Sequence, residues 1–293
     1  MNYETQTSAK EDSEYVEGKL NEYLSSVAPP EPGAKNEELV FKVEDSGKVV
    51  GGCIIELYEW NWGRMLLEAL WVDEKYRHQG IGSMLIRKAE QTAREKGCYI
   101  ACLGTTDFQA RGLYEKHGYK VFTVTKDCPR GHESYTLAKR LDRDLPDYIP
   151  KNNAAAEKFE VKPGAEEDAD VIEDGLDSYG ELFAPETHDY IKINKKLVDE
   201  NGNIIAGIIS GINGWDYCFL SVIWVDEAYR NQGFGSQLLA KIEHEAKEKG
   251  AYMVLTYASD WNIDFFKKQG YTIRGEFDDL PRGHRSFELM KML

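Results

Sequence analysis

Residues 71–82 read WVDEKYRHQGIG, and residues 224–235 read WVDEAYRNQGFG. The likeness extends beyond the dodecamer: over 71–97 against 224–250, seventeen of twenty-seven positions are identical at a constant offset of 153. Farther on, Gly118 matches Gly270 and His132 matches His284 at an offset of 152, so one residue is missing between the two sets. Shared helix propensity does not produce identity at this level. A tandem duplication does, and its period is too long for a solenoid of short repeats. A chain of 293 residues has room for two cores of ordinary size.

Between the copies, DRDLPDYIPKNNAAAEKFEVKPGAEED carries proline, asparagine and charge without a sustained apolar period, which places the expected boundary near residue 150. The expected domains are therefore 1–150 and 151–293. Both have the same coarse order. A helical segment comes first (SEYVEGKLNEYLSSV; DADVIEDGLDSYGELF), followed by a hairpin whose turns are EDSGK and DENGN. Next come a strand (RMLLEALWV; YCFLSVIWV), the glycine loop, and a helix with Met84, Leu85, Ala89, Thr92 and Ala93 at helical spacing, closed by Gly97. An apolar strand (CYIACLG; AYMVLTY), a short helix and two further strands complete each unit. This order makes an α/β (α+β) fold: two tandem domains, each a mixed central sheet with helices on both faces.

A strand, a glycine turn and a helix N-terminus form an anion site, because free N–H groups point outward and glycine lets a phosphate approach. Arg77 and Arg230 add a cation in the same place in each copy. A pyrophosphate is the implied ligand. The Rossmann pattern needs a third glycine where Leu85 and Leu238 stand, and the P-loop needs Gly-Lys-Ser/Thr, so both are disfavoured.

Net charge is −15, from 51 acids against 36 bases, which argues against nucleic acid or an anionic membrane as partner and in favour of cationic small molecules. Five cysteines without paired spacing fit buried thiols in a reducing compartment rather than disulfides or a metal site. There is no long apolar run, and the N-terminus is polar and acidic, so the expected location is cytoplasmic.

The strand, RHQGIG and the helix behind it resemble the coenzyme A loop of the GNAT superfamily of acetyl-CoA-dependent N-acetyltransferases. DFQARGLYEKHGYKVF (107–122) is similar to that family's closing helix and strand, and the likeness spans roughly 11–141 and, more loosely, 168–293. The resemblance implies a splayed sheet that holds acetyl-CoA between two parallel strands. It puts the pyrophosphate on Arg77, His78, Gln79, Gly80, Ile81, Gly82 and Ser83, and in the second copy on Arg230, Asn231, Gln232, Gly233, Phe234, Gly235 and Ser236. Strand residues Leu70, Trp71 and Val72, with Val225 in the second copy, would flank the thioester.

Acetyl transfer needs a base for the amine and a proton for the thiolate. Glu68 interrupts an apolar strand where the family often places a carboxylate; it is either the base or a solvent-facing residue. Tyr114 matches the family tyrosine that donates to the coenzyme sulfur, although its helix could equally bury it as a core aromatic. Asp107 would contact the coenzyme or cap a helix, and His132 of the repeated PRGH would line the amine pocket or hold a turn. In the second copy Ser221 stands at the place of Glu68 and Phe266 at that of Tyr114, so its loop either binds coenzyme without turnover or only braces the fold. The implied activity is N-acetylation of a small or peptide-borne primary amine. The alternative is a noncatalytic acetyl-CoA sensor or scaffold, and the assembly is a monomeric pseudo-dimer or a homodimer.

Overall fold

The computed structural model describes residues 3, 5–30, 36–57, 63–143, 146, 148–154 and 158–293. In chain order the strands are β1 (Thr5–Thr7), β2 (Glu37–Asp45), β3 (Lys48–Leu57), β4 (Arg64–Val72), β5 (Ile100–Thr106), β6 (Lys120–Lys126), β7 (Glu133–Arg140) and β8 (Lys162–Pro163). The second copy adds β9 (Ile191–Lys192), β10 (Lys195–Val198), β11 (Ile204–Ile212), β12 (Tyr217–Val225), β13 (Met253–Ser259), β14 (Thr272–Asp278) and β15 (Arg285–Met292). The helices are α1 (Lys10–Val27), α2 (Ile81–Glu95), α3 (Arg111–Lys116), α4 (Glu166–Gly180), α5 (Phe234–Glu248) and α6 (Ile263–Lys268).

One sheet runs β6-β7-β5-β4-β3-β2-β8, and the other β1-β10-β11-β12-β13-β15-β14 with β9 beside β11. The β2–β3 turn takes left-handed backbone at Ser46 (φ 53°) and Gly47 (φ 80°), the demand of a two-residue hairpin whose twist matches its strands. On one face of the first sheet, Leu85, Ile86, Ala89 and Ala93 of α2 pack on Cys53, Ile55, Met65, Leu67 and Leu103. On the second sheet α5 repeats this with Leu238, Leu239, Ile242 and Ala246 over Ile208, Cys218, Leu220 and Val254. All five cysteines are buried thiols, none of them in a disulfide. Among the described residues no helix is long and apolar enough to cross a membrane.

The opposite face departs from the expected division at residue 150. By packing, one compact unit comprises Met1–Pro29 with Glu186–Leu293, and the other Pro30–Pro185. Strand β1 and helix α1 therefore complete the second sheet, while β8 and α4 complete the first. Each repeat lends its leading strand and helix to the other.

Glycines make the docking possible. Ile172 of α4 is fully buried over Ile54 and Ala69, and a β-carbon on Gly52 of β3 would overlap its side chain. Val16 of α1, packed with Val222 and Trp224, stands in the same relation to Gly207 of β11. An ion pair secures each helix start: Lys42 Nζ lies 3.0 Å from Asp168 Oδ2, and Lys196 Nζ lies 2.6 Å from Asp12 Oδ2. Asp168 and Asp12 also accept from the backbone N–H groups of Ala165 and Ala9, each at 2.7 Å, closing the helix N-termini. The duplicated sequence hides this exchange because the surfaces of the two repeats are nearly interchangeable.

Filling either glycine notch should loosen one helix and destabilise its unit. Gly52→Val and Gly207→Val are each expected to cost about 1–3 kcal/mol, the usual penalty of overpacking, read as a lowered midpoint in thermal unfolding followed by circular dichroism.

Candidate active site

The two sheets share one local irregularity. In the first, β4 and β5 pair in parallel from Arg64↔Ile100 to Leu67↔Leu103 and no farther, although β4 continues to Val72 and β5 to Thr106. In the second, β12 and β13 pair from Tyr217↔Met253 to Leu220↔Thr256, and β12 continues to Val225. Beyond those points each pair is splayed, leaving the edges of residues 68–72 and 221–225 without a parallel partner. Leu70, Trp71, Val72 and Val225 lie on these free stretches.

A β-bulge sits at the start of each splay. Ile54 pairs with Ala69 and Ile55 with Leu67, so Glu68 is the extra residue. Ile209 pairs with Val222 and Ser210 with Leu220, so Ser221 is its counterpart. Bulges re-aim side chains, which is why period-two alternation alone left the facing of Glu68 open. Its side chain reaches solvent, yet protein crowds the carboxyl group closely enough that desolvation raises its pKa. Repulsion from Glu56, Glu173 and Glu38 adds to the rise. Glu173, on α4, is itself raised by burial and by acids that include Asp177 and Glu38. In the second sheet Ser221 Oγ donates to the Ile209 carbonyl at 3.1 Å, and no carboxylate stands at the bulge.

The glycine loops agree closely. A single turn (Glu74–Tyr76; Glu227–Tyr229) leads into Arg77 or Arg230, then His78 (φ 60°) or Asn231 (φ 61°), and Gly80 (φ 98°) or Gly233 (φ 90°) caps α2 or α5. Two left-handed positions two residues apart turn successive N–H groups toward one point, a nest for an anion at a helix N-terminus. The left-handed backbone at His78 and Asn231 is a feature the glycine spacing did not signal.

Several side chains of the loop face away from that nest. Arg77 Nε donates to the Val72 carbonyl at 2.9 Å with its guanidinium 4.8 Å from the Tyr179 ring; Arg230 donates to Val225 at 3.0 Å and lies 4.7 Å from Tyr23. Each arginine pins its loop to the strand end through Nε and stacks on a tyrosine of the helix lent by the other repeat. Gln79 and Gln232 donate back to the carbonyls of Lys75 and Ala228. Ser83 Oγ is 2.9 Å from His117 Nε2 and Ser236 Oγ accepts from Gln269, tying α2 to α3 and α5 to α6. Ile81 is core. Phe234 packs edge-on with Tyr3. Gly82 and Gly235 face Leu113 and Phe265 closely. Beside the first loop the chain returns: Asn152 Nδ2 donates to the His78 carbonyl at 2.9 Å and a β-carbon on Gly80 would meet Asn153, whereas one on Gly233 would meet nothing within 4 Å.

Tyr114 is 7% exposed within the first core, near Tyr119, and burial together with the Cys53 thiol pushes its pKa up, so it holds its proton. Phe266 occupies the matching position beside Tyr271. Asp107 does not cap α3, since the helix begins after Ala110 and Gln109 takes the turn's N–H from Thr106. Asp107 instead accepts from His132 Nδ1 at 2.9 Å and from the Glu133 N–H at 3.2 Å, and Asp260 does the same for His284 and Arg285. This repeated clamp joins the end of the central strand to the last hairpin, which is the turn-holding reading of His132.

The model of the acetyltransferase (GNAT) family matches the chain twice, over residues 5–119 and 155–271. The chain belongs to that family. It is a tandem GNAT acetyltransferase, and members of the family take acetyl-CoA as acyl donor. It is 39% identical to the blasticidin-S acetyltransferase of Streptomyces morookaense over 98 residues, 33% of this chain and 70% of the relative. It is 34% identical to the thialysine N-epsilon-acetyltransferase of Bos taurus over 74 residues, 23% of this chain and 44% of the relative. Among solved structures, an acetyltransferase from Bacillus cereus ATCC 14579 is 34% identical; the match covers 46% of this chain and 95% of that one, with a TM-score of 0.42.

Left-handed glycines cap both helices, Gly80 before α2 and Gly233 before α5. Placing a β-branched residue at a left-handed glycine strains the backbone by about 1–3 kcal/mol and re-aims its N–H. Gly80→Val and Gly233→Val are each expected to remove one coenzyme A per chain in calorimetric titration. Unchanged stoichiometry in the Gly233 variant would leave the second loop structural.

Proposed function

We propose that the chain is an N-acetyltransferase that carries the acetyl group of acetyl-CoA to a cationic primary amine at the splay of the first sheet. The observation that carries this reading is the bulge at Glu68: it turns a carboxylate with a raised pKa out at the opening of the splay, among Glu56, Glu38 and Glu173. An ammonium ion is drawn to such a place, and a carboxyl raised toward neutrality is a better proton acceptor than an ordinary one. The thialysine relative, by its name, acetylates an ε-amine, and the acids here favour a small or peptide-borne amine carrying positive charge.

The residues divide the work as follows. The backbone of 77–83 holds the pyrophosphate, and the unpaired edge of 68–72 faces the acyl end. When bound, acetyl-CoA supplies the thioester carbon that the amine attacks. Glu68 takes the proton of the incoming ammonium. The Tyr114 hydroxyl, kept neutral by burial, gives a proton to the sulfur. In the second sheet Ser221 and Phe266 can do neither, so that loop is read as a coenzyme-binding site without turnover.

With the pKa of Glu68 raised, the base is present above that value and lost as pH falls through it, so kcat/KM should drop at a higher pH than an ordinary carboxylate dictates. Glu68→Gln is expected to abolish that acidic limb and to recover part of its rate at high pH, where the amine sheds its proton unaided. A profile of unchanged shape would remove Glu68 as base. Tyr114→Phe should keep coenzyme affinity while turnover falls roughly 100-fold, the lower end of acid catalysis, because a thiolate leaves readily. Unaltered turnover in a chemistry-limited assay would return Tyr114 to the core.

A further inference from the structure

The first splay needs something to hold its walls at a set distance, since no backbone hydrogen bond joins β4 to β5 beyond Leu67 and Leu103. The residue placed to do so is Tyr179 on α4, the helix that the second repeat contributes. Its ring receives the Arg77 guanidinium, 4.8 Å away, just past the end of β4. Its hydroxyl donates to the Phe108 carbonyl at 3.1 Å, just past the end of β5. One turn on, Phe183 stacks on Phe108 with centroids 5.2 Å apart and planes at 5°, and its carbonyl is 3.3 Å from His132 Nε2. His132 in turn is clamped to Asp107. One turn before Tyr179 on the same helix, Gly175 admits the indole of Trp71, so that a β-carbon there would overlap the ring.

We propose that Tyr179 is a positioning residue for the first site: a side chain of the second repeat that braces both walls of the splay in the first. Helix α4 touches Trp71 and Arg77 on the β4 side and Phe108 on the β5 side, where Phe183 just past its end reaches His132, and it also carries Glu173 into the acidic group around Glu68. The first site is thus assembled from both repeats, and a change in α4 acts on chemistry encoded more than a hundred residues earlier. The proposal rests on the first site being the place of acetyl transfer, but the brace itself has a readout that needs no turnover.

The test uses the full chain with Tyr179→Phe, Tyr179→Ala and Tyr23→Ala. Tyr179→Phe keeps the ring on Arg77 and deletes the hydroxyl bond. Amide hydrogen exchange should quicken about 5-fold at 107–110, the effect of one neutral hydrogen bond, and stay at the parent rate at 77–80. Tyr179→Ala should quicken both segments, whereas Tyr23→Ala should act at 230–233 alone. In acetyl transfer, Tyr179→Phe should raise the KM for the amine by a similar factor with coenzyme affinity unmoved. Parent exchange at 107–110 in Tyr179→Phe overturns the brace, and so does an amine KM altered equally by Tyr23→Ala. If the parent turns over no amine, the proposed activity fails, and exchange at 107–110 still decides the brace.

Discussion

Two parallel strands that begin paired and then part company are the constraint around which each half of this protein is organised. Unpaired backbone groups inside a sheet are costly unless something satisfies them, and the parallel ladder stops at Leu67 and Leu103. The bulge at Glu68 and the nest at His78 to Gly80 lie at the two ends of that free edge. A carboxylate stands at one end and a left-handed turn before a helix N-terminus at the other.

The polar side chains of the loop are engaged with the scaffold. Arg77, Gln79 and Ser83 each spend their side chain on the scaffold, anchoring the turn to Val72, to Lys75 and to His117. The second loop repeats all three arrangements with Arg230, Gln232 and Ser236. Left-handed backbone at His78 and Asn231, which a side chain disfavours, is thereby held beside a glycine that adopts it freely. The two halves diverge at the chemical end instead, where Glu68 and Tyr114 face Ser221 and Phe266.

The exchange of leading helices makes the two repeats interdependent. Ile172 against Gly52 and Val16 against Gly207 are the same contact made twice, with the Lys42–Asp168 and Lys196–Asp12 pairs beside them. Each helix also brings a tyrosine to the other repeat's arginine. Duplication gives both contacts one form: each sheet carries the glycine notch and each helix the side chain that enters it.

Much of this was legible in the chain itself. The duplication, the strand and helix order, the glycine loops, the family likeness and the contrast between Glu68 and Ser221 follow from residue identity and spacing, because local periodicity and repeated motifs are properties of the chain alone. Other features depended on which surfaces meet. The boundary near residue 150 gave way to exchanged helices, because sequence proximity does not say which of two nearly identical partners a helix will choose. The facing of Glu68 rested on a bulge that strand alternation cannot reveal, and the raised pKa on Glu38, Glu56 and Glu173 arriving from three different elements. Arg77 and Asp107 carry charges that suggest ligand contact in the sequence, but their partners in space, Tyr179 and His132, belong to distant segments. Charge type is local information; what neutralises or stacks on that charge is decided only when the chain closes on itself.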